Sequence, residues 1–266
     1  MNVIRFGVIL VSIVCATNAY ALEYKIDKSK HFVVEYPVSV GKTWASTVLR
    51  TAERNYDKIA NRLGFRRYTN YWTWDNRAKI IIHPDKNTFI EKTGQPFWSE
   101  GGARYGHQFS QGRSIISYKQ ETEFIDSILP HEVSHLILRD FIGYNRKIPI
   151  WFDEGIAQLF EVDKLTKANK AIHVWLKKNK PIPFHQLFRY EVRFETNPLK
   201  VDIFYIQSVT IIDFLLKNYG STKFGELCRD MRDGYYFQEA LLRTYKIYFK
   251  TVDEFEKKWV SYMKTY

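Results

Sequence analysis

Leu129-Pro130-His131-Glu132-Val133-Ser134-His135 sets two histidines four residues apart, with a glutamate directly after the first. On an α-helix, positions i and i+4 lie one above the other, so His131 and His135 can direct imidazole nitrogens at one Zn²⁺. Glu132 projects too far round the helix to join them as a ligand in the same way. It is placed to take a proton from the attacking water. The pattern also arises on surface helices with two unrelated histidines, so the sequence that follows has to decide. Catalytic zinc needs a third protein ligand and an open position. Glu154, nineteen residues after His135, offers that ligand within Ile150-Trp151-Phe152-Asp153-Glu154-Gly155-Ile156-Ala157. A helix from about Asp153 to Glu161 brings Glu154 to the metal from the side, and Gly155 lets the two helices pack closely. Another zinc-protease class carries Gly and a third His where this chain has Leu138 and Phe141, so that class is excluded.

Upstream of the motif the pattern mixes strands and helices. Residues 31–36 (HFVVEY) and 78–83 (AKIIIH) are short β-branched and aromatic runs ended by Pro37 and Pro84, which predicts two strands. Between them Trp44, Val48, Ala52, Tyr56, Ile59 and Leu63 recur at helical spacing, with Gly64 as the stop. Residues 113–119 (RSIISYK) read as a further strand whose charged ends suit a sheet edge. After about Gln120 the pattern is helical. Tyr205, Val209, Ile212, Leu216 and Tyr219 share one face before Gly220, and residues 224–232 and 237–245 follow as shorter helices. Thr251 and Glu254 form a capping box for a last one. No Pro/Gly/Ser-rich linker separates independent domains. The expectation is one α+β domain, with a sheet-bearing lobe over residues 22–119 and a helical lobe over 120–266.

The 266 residues, 45% hydrophobic and 26% charged, fit an ordinary globular chain and exclude disordered and fibrous classes. Residues 6–16 are mostly apolar, follow Arg5, and precede Ala19-Tyr20-Ala21, a small-x-small cleavage pattern. The run falls short of the about 18 apolar residues that span a bilayer. Residues 1–21 therefore read as a signal peptide, with export to the periplasm or outside and no transmembrane segment in the mature chain. Their removal takes away one Arg and Cys15, so the formal charge falls from +11 to +10 and Cys228 is left alone. One cysteine forms no intrachain disulfide, and a chain this long can bury enough surface to do without one. The basic excess favours anionic partners. It concentrates in residues 162–200, where nine Lys/Arg face three acids. Two readings are open there: steering of an acidic peptide or docking on an anionic envelope surface, and a plain solvated helix face. No recognition motif supports nucleic-acid binding.

Taken together, HExxH, an 18-residue gap and Glu-Gly-x-Ala resemble the gluzincin zinc metallopeptidases of the peptidase MA-like group. Trp151 to Glu161 (WFDEGIAQLFE) is similar to the group's Trp-x-x-Glu-Gly-x-Ala-x-x-x-Glu. Tyr205-Ile206-Gln207-Ser208, followed by Tyr219-Gly220, is similar to its Tyr-x-x-Ser helix and stop. The likeness covers roughly residues 120–266. It implies a zincin-like fold, one Zn²⁺ per chain on His131, His135 and Glu154, Glu132 as general base, and a peptide or protein substrate. Tyr205 matches an oxyanion-donor position, although it also lies on an apolar stripe and can be a core aromatic. Glu161 can hold a ligand histidine from behind or be a solvated surface residue. Gly101, Gly102 and Ala103 stand before the expected edge strand, where substrate can add as a strand, and a surface turn is the other reading. They lack the Met-Glu-Asn with which aminopeptidase relatives hold a free amine, which favours an endopeptidase. The rival is a non-catalytic envelope- or peptide-binding protein keeping the fold, which would have no need of Glu132. The other histidines, His31, His83, His107, His173 and His185, lack ligand-like partners in the sequence.

Overall fold

A computed structural model describes residues 23–65, 72, 76–97, 99–104 and 112–265. The expected signal peptide and His107 lie outside them. Five strands form one sheet in the order β1-β2-β3-β5-β4: β1 Tyr24–Lys28, β2 Phe32–Pro37, β3 Ala78–His83, β4 Gly101–Arg104 and β5 Ser114–Tyr118. β2, β3 and β5 run parallel, and β1 and β4 close the two sides antiparallel. Phe32, Val34, Ile80, Ile82 and Ile115 are fully buried, because the alternation of these strands turns them onto the helices. Helix α1, Lys42–Arg62, covers the sheet with Ala45, Val48, Ala52, Tyr56 and Ile59. Leu63 caps it and Gly64, at φ 78°, turns the chain out. An α-carbon substituent at Gly64 would stand 2.2 Å from the Ser221 carbonyl oxygen, so only glycine lets this corner touch the helical lobe. A short helix α2, Lys86–Thr93, follows β3 and is capped by the Asp85 side chain.

The helical lobe begins with a π-helical turn, Phe124–Ile128, that runs directly into α3, Leu129–Ile142. Then come α4 Ile150–Gln158, α5 Lys164–Trp175, α6 Phe184–Leu187, α7 Pro198–Arg232, α8 Phe237–Thr244 and α9 Val252–Lys264. Gly220, at φ 81° and ψ 162°, breaks α7 where the sequence places a stop. The Thr251 hydroxyl accepts from the Glu254 N–H, as the capping box requires. The fold class is α+β, with the sheet confined to the N-terminal lobe. Trp151, Phe152, Phe188, Phe224 and Phe237 join α4, α7 and α8 in one aromatic core.

Four expectations need correcting. β5 is an inner strand: four of its five residues are buried, and β4 covers its outer side. The edge is β4, so Gly101, Gly102 and Ala103 are strand residues and not a surface turn. The second motif helix starts at Ile150 and ends at Gln158, which leaves Glu161 in the turn after it. Gly155 does mark a close approach, but to α7 and not to α3. A methyl group there would lie 2.7 Å from the Ser208 carbonyl oxygen and 2.9 Å from Ile212. Ser208, the small residue of Tyr-x-x-Ser, is fully buried opposite it, with its hydroxyl returned to the Phe204 carbonyl at 2.6 Å.

Candidate metal centre

His131 and His135 stand one helical turn apart on α3 with their Nε2 atoms 3.1 Å from each other. Two nitrogens bound tetrahedrally at about 2.0–2.1 Å from one zinc would be roughly 3.3 Å apart. Glu154 approaches from α4, its carboxylate oxygens 3.7 Å from the first Nε2 and 3.9 Å from the second. One ligand atom from each of the three residues falls within a 4.8 Å cluster. Two imidazoles and a carboxylate are a donor set suited to Zn²⁺, with room left for a fourth ligand.

Each imidazole is fixed from behind by a carboxylate. The Nδ1 of His131 lies 2.8 Å from Glu161 Oε1, and that of His135 lies 2.6 Å from Asp153 Oδ1. An ionised carboxylate only accepts, so each Nδ1 carries a proton, which leaves each Nε2 as the atom that can bind a metal. Glu161 also accepts from the Ser127 hydroxyl at 3.0 Å and lies 3.6 Å from the Lys164 ammonium. Burial works against its charge, but the hydrogen bond from His131, that ring's field and Lys164 hold its carboxyl below the usual range. Asp153 is likewise buried, yet His135 and Arg139 keep its carboxyl low, with Arg139 Nε donating at 3.0 Å. Burial by itself would make His135 harder to protonate; Asp153, Glu154 and Glu132 together reverse that and raise it. Burial raises the Glu154 carboxyl, with the two histidines opposing.

Pro130 explains how Glu161 reaches His131. In an α-helix the N–H that proline lacks would bond the carbonyl four residues back, that of Asp126. That carbonyl accepts the Val162 N–H at 3.0 Å. The turn after α4 is thereby pinned to the helical segment ahead of the motif, and Glu161, one residue earlier, faces His131. α3 itself starts at Leu129 with Pro130 in its first turn, where the missing N–H is tolerated, and the π-helical turn leads into it.

Glu132, His135, Glu154 and Tyr205 line one cleft of about 480 Å³, with Ala103 of the edge strand on its wall and Val192, Arg193 and Val201 around it. Tyr205 serves both readings: it packs edge-to-face on Phe204 at 5.2 Å and lines the cleft. Burial and the Glu154 charge push its hydroxyl up to about 12, so at neutral pH it is a donor. Gly101 is in β4 but its back faces Ile128, and of the three substrate-edge residues Ala103 reaches the cleft. Asp153 escaped the sequence reading. The available signal was His131, His135 and Arg139 at successive i+4 positions, a stripe on which one facing carboxylate meets both His135 and Arg139.

A family model described as the peptidase MA superfamily matches residues 109–265. The chain belongs to the peptidase MA superfamily. No curated protein matches it. Membership supports a metallopeptidase, a hydrolase acting on peptides, and the matched span of this peptidase MA chain takes in His131, His135, Glu154 and Glu161 together. Among the described residues no helix is long and apolar enough to cross a membrane. Of the basic residues between 162 and 200, Arg193 lines the cleft, whereas the lysines of α5 do not. The other described histidines lie outside the cluster. His31 is buried on Glu53 at 2.6 Å, and His83 sits beside the Tyr24 hydroxyl at 3.4 Å.

Proposed function

We propose that the mature chain is an exported zinc-dependent endopeptidase. The observation that carries this reading is the convergence of two Nε2 atoms 3.1 Å apart with Glu154, each ring anchored by its own carboxylate. His131, His135 and Glu154 would hold the ion. When bound, zinc supplies Lewis acidity, which lowers the pKa of a water toward neutrality and polarises a carbonyl. Glu132, in the same cleft and adjoining the first ligand, accepts the proton of the attacking water and returns it to the leaving amine. Tyr205 donates a hydrogen bond from its hydroxyl to the oxygen that gains charge. Edge strand β4 offers backbone groups to an extended substrate.

The preference for internal bonds is supported by Glu100, which immediately precedes β4. An aminopeptidase needs a carboxylate free to hold the substrate's amine. Glu100 is occupied by the Lys86 ammonium at 2.8 Å and by the Tyr118 hydroxyl. Export rests on the N-terminal cleavage pattern of residues 1–21.

Metal analysis of residues 22–266 beside a His135→Ala variant tests the centre. About one zinc per chain, lost in the variant, is expected. Glu132→Gln should keep the zinc and lose peptide hydrolysis. Absence of zinc, or equal hydrolysis by Glu132→Gln, would overturn the assignment.

A further inference from the structure

A second cavity, about 830 Å³, adjoins the catalytic cleft and shares Arg139 and Ile150 with it. It runs between the segment after α3 and the segment after α6, and its wall continues onto the start of α8. Arg139, Arg146, Lys147 and Arg189 line it, against the single lining carboxylate of Glu191. That carboxylate is already paired with Arg193 at 2.7 Å, and Arg139 is committed to Asp153. Arg146, Lys147 and Arg189 are exposed and form no ion pair with any described residue. The floor is aromatic, with Phe188, Phe237 and the exposed Tyr236.

We infer that this groove binds the acidic part of a peptide substrate whose scissile bond lies in the adjoining cleft. The inference rests on the peptidase reading above and adds the substrate class to it. Three cations without an ion-pair partner among the described residues, over an apolar floor, keep a standing positive field in a groove that shares two lining residues with the catalytic cleft. A peptide carrying Asp or Glu a few residues from the cleaved bond satisfies that field without desolvating a pair the protein already makes. A neutral peptide leaves the same cations to water. Because the two cavities share Arg139 and Ile150, and an extended chain advances about 3.3 Å per residue, the groove reads residues close to the bond.

The test uses two peptides of one sequence, differing in whether Asp or Asn occupies the positions flanking the cleaved bond. The zinc-loaded mature protein is compared with Arg146→Glu/Arg189→Glu, and with Lys257→Glu/Lys258→Glu, which makes the same charge change on α9. The ratio of kcat/KM, acidic over neutral, should exceed about ten at low salt and fall as salt rises. It should drop at least about ten-fold in the groove variant and hold in the α9 variant. A ratio near one in the unmodified protein, or equal losses in both variants, overturns the groove. Anisotropy of the labelled acidic peptide on Glu132→Gln separates the two readings. Salt-sensitive binding lost in the groove variant, with no cleavage of any peptide by the unmodified protein, upholds the groove and sinks the peptidase. Cleavage of neutral and acidic peptides alike does the reverse.

Discussion

Glu161 is not one of the three expected zinc ligands, so its replacement tests whether the centre is built as described. Glu161→Gln keeps the shape and an accepting oxygen but removes the charge opposite His131 Nδ1, which is 2.8 Å away. Hydrogen bonds to charged groups contribute about 1.5–3 kcal/mol net, and neutral ones about 0.5–1.5. The substitution therefore costs the His131 ring about 1–1.5 kcal/mol of orientation and basicity. At about 1.4 kcal/mol per decade, the zinc Kd should rise roughly ten-fold. Glu161→Ala removes the acceptor altogether and should approach 100-fold, the upper end for loss of a carboxylate behind a ligand histidine. Ser127→Ala leaves the Glu161–His131 contact in place and should change the Kd by less than about three-fold. Competition against a chromogenic chelator at neutral pH reads all three, and thermal melts of the metal-free proteins check that each is folded. A Glu161→Ala protein that melts like its parent and binds zinc within two-fold of it would refute the reasoning.

Gly155→Ala drives a methyl group into the Ser208 carbonyl, so α4 and α7 must separate. Overpacking of this kind costs about 1–3 kcal/mol, and Tm should fall by roughly 3–10 °C. The collision is with backbone, so adding Ser208→Gly should not restore it. Tyr205→Phe should bind zinc normally and lose about 100-fold in kcat with little change in KM, as for the loss of an oxyanion donor; an unaltered kcat would return Tyr205 to the core alone. Glu53, half-buried against the buried His31, holds its carboxyl below the usual range: burial opposes the charge, and the His31 N–H and ring outweigh it. A depressed carboxyl stabilises the fold above its unfolded pKa of about 4.5 and loses that contribution as pH falls through its folded value. Glu53→Gln should be about 1–3 kcal/mol less stable than the parent at neutral pH, with the gap closing on acidification, as read from urea melts across pH. A gap independent of pH would refute the assignment.

The elements legible in the sequence are those that carry their own signal. β3 is read to the residue because its isoleucine run, followed by His83, is closed by Pro84, and α1 is read as a helix with its stop because its apolar stripe ends in glycine. β1 and β4 were not legible, since neither YKIDK nor GGAR carries an apolar run, and both are edges whose form depends on a neighbour. β5 looked like an edge because its flanking Arg113 and Lys119 are charged; Arg113 is in fact drawn onto Asp140 of α3 at 2.5 Å. At the centre, His131, His135 and Glu154 follow from spacing, since helical geometry alone aligns the first two. Glu161 was reached by assuming a helix through residue 161. The helix stops three residues short, and a tertiary hydrogen bond delivers the carboxylate instead. Asp153 is easily missed because its partners, His135 and Arg139, belong to another helix, and only the i+4 stripe on that helix hints at it.

The arrangement assigns separate supports to the metal centre and to the groove beside it, and Arg139 marks the boundary. Arg139 lines both cavities, yet its charge is spent on Asp153, which holds His135. Removing Arg139 would disturb a ligand and the groove together and could not tell them apart. The unpaired field in the groove comes from Arg146, Lys147 and Arg189, none of which contacts a ligand or its supporting carboxylate among the described residues. Charge reversal at Arg146 and Arg189 therefore alters what the groove attracts while Asp153 keeps His135 in place. A change in substrate preference can on that account be read apart from a change in metal binding, because the two rest on different side chains that meet only at Arg139.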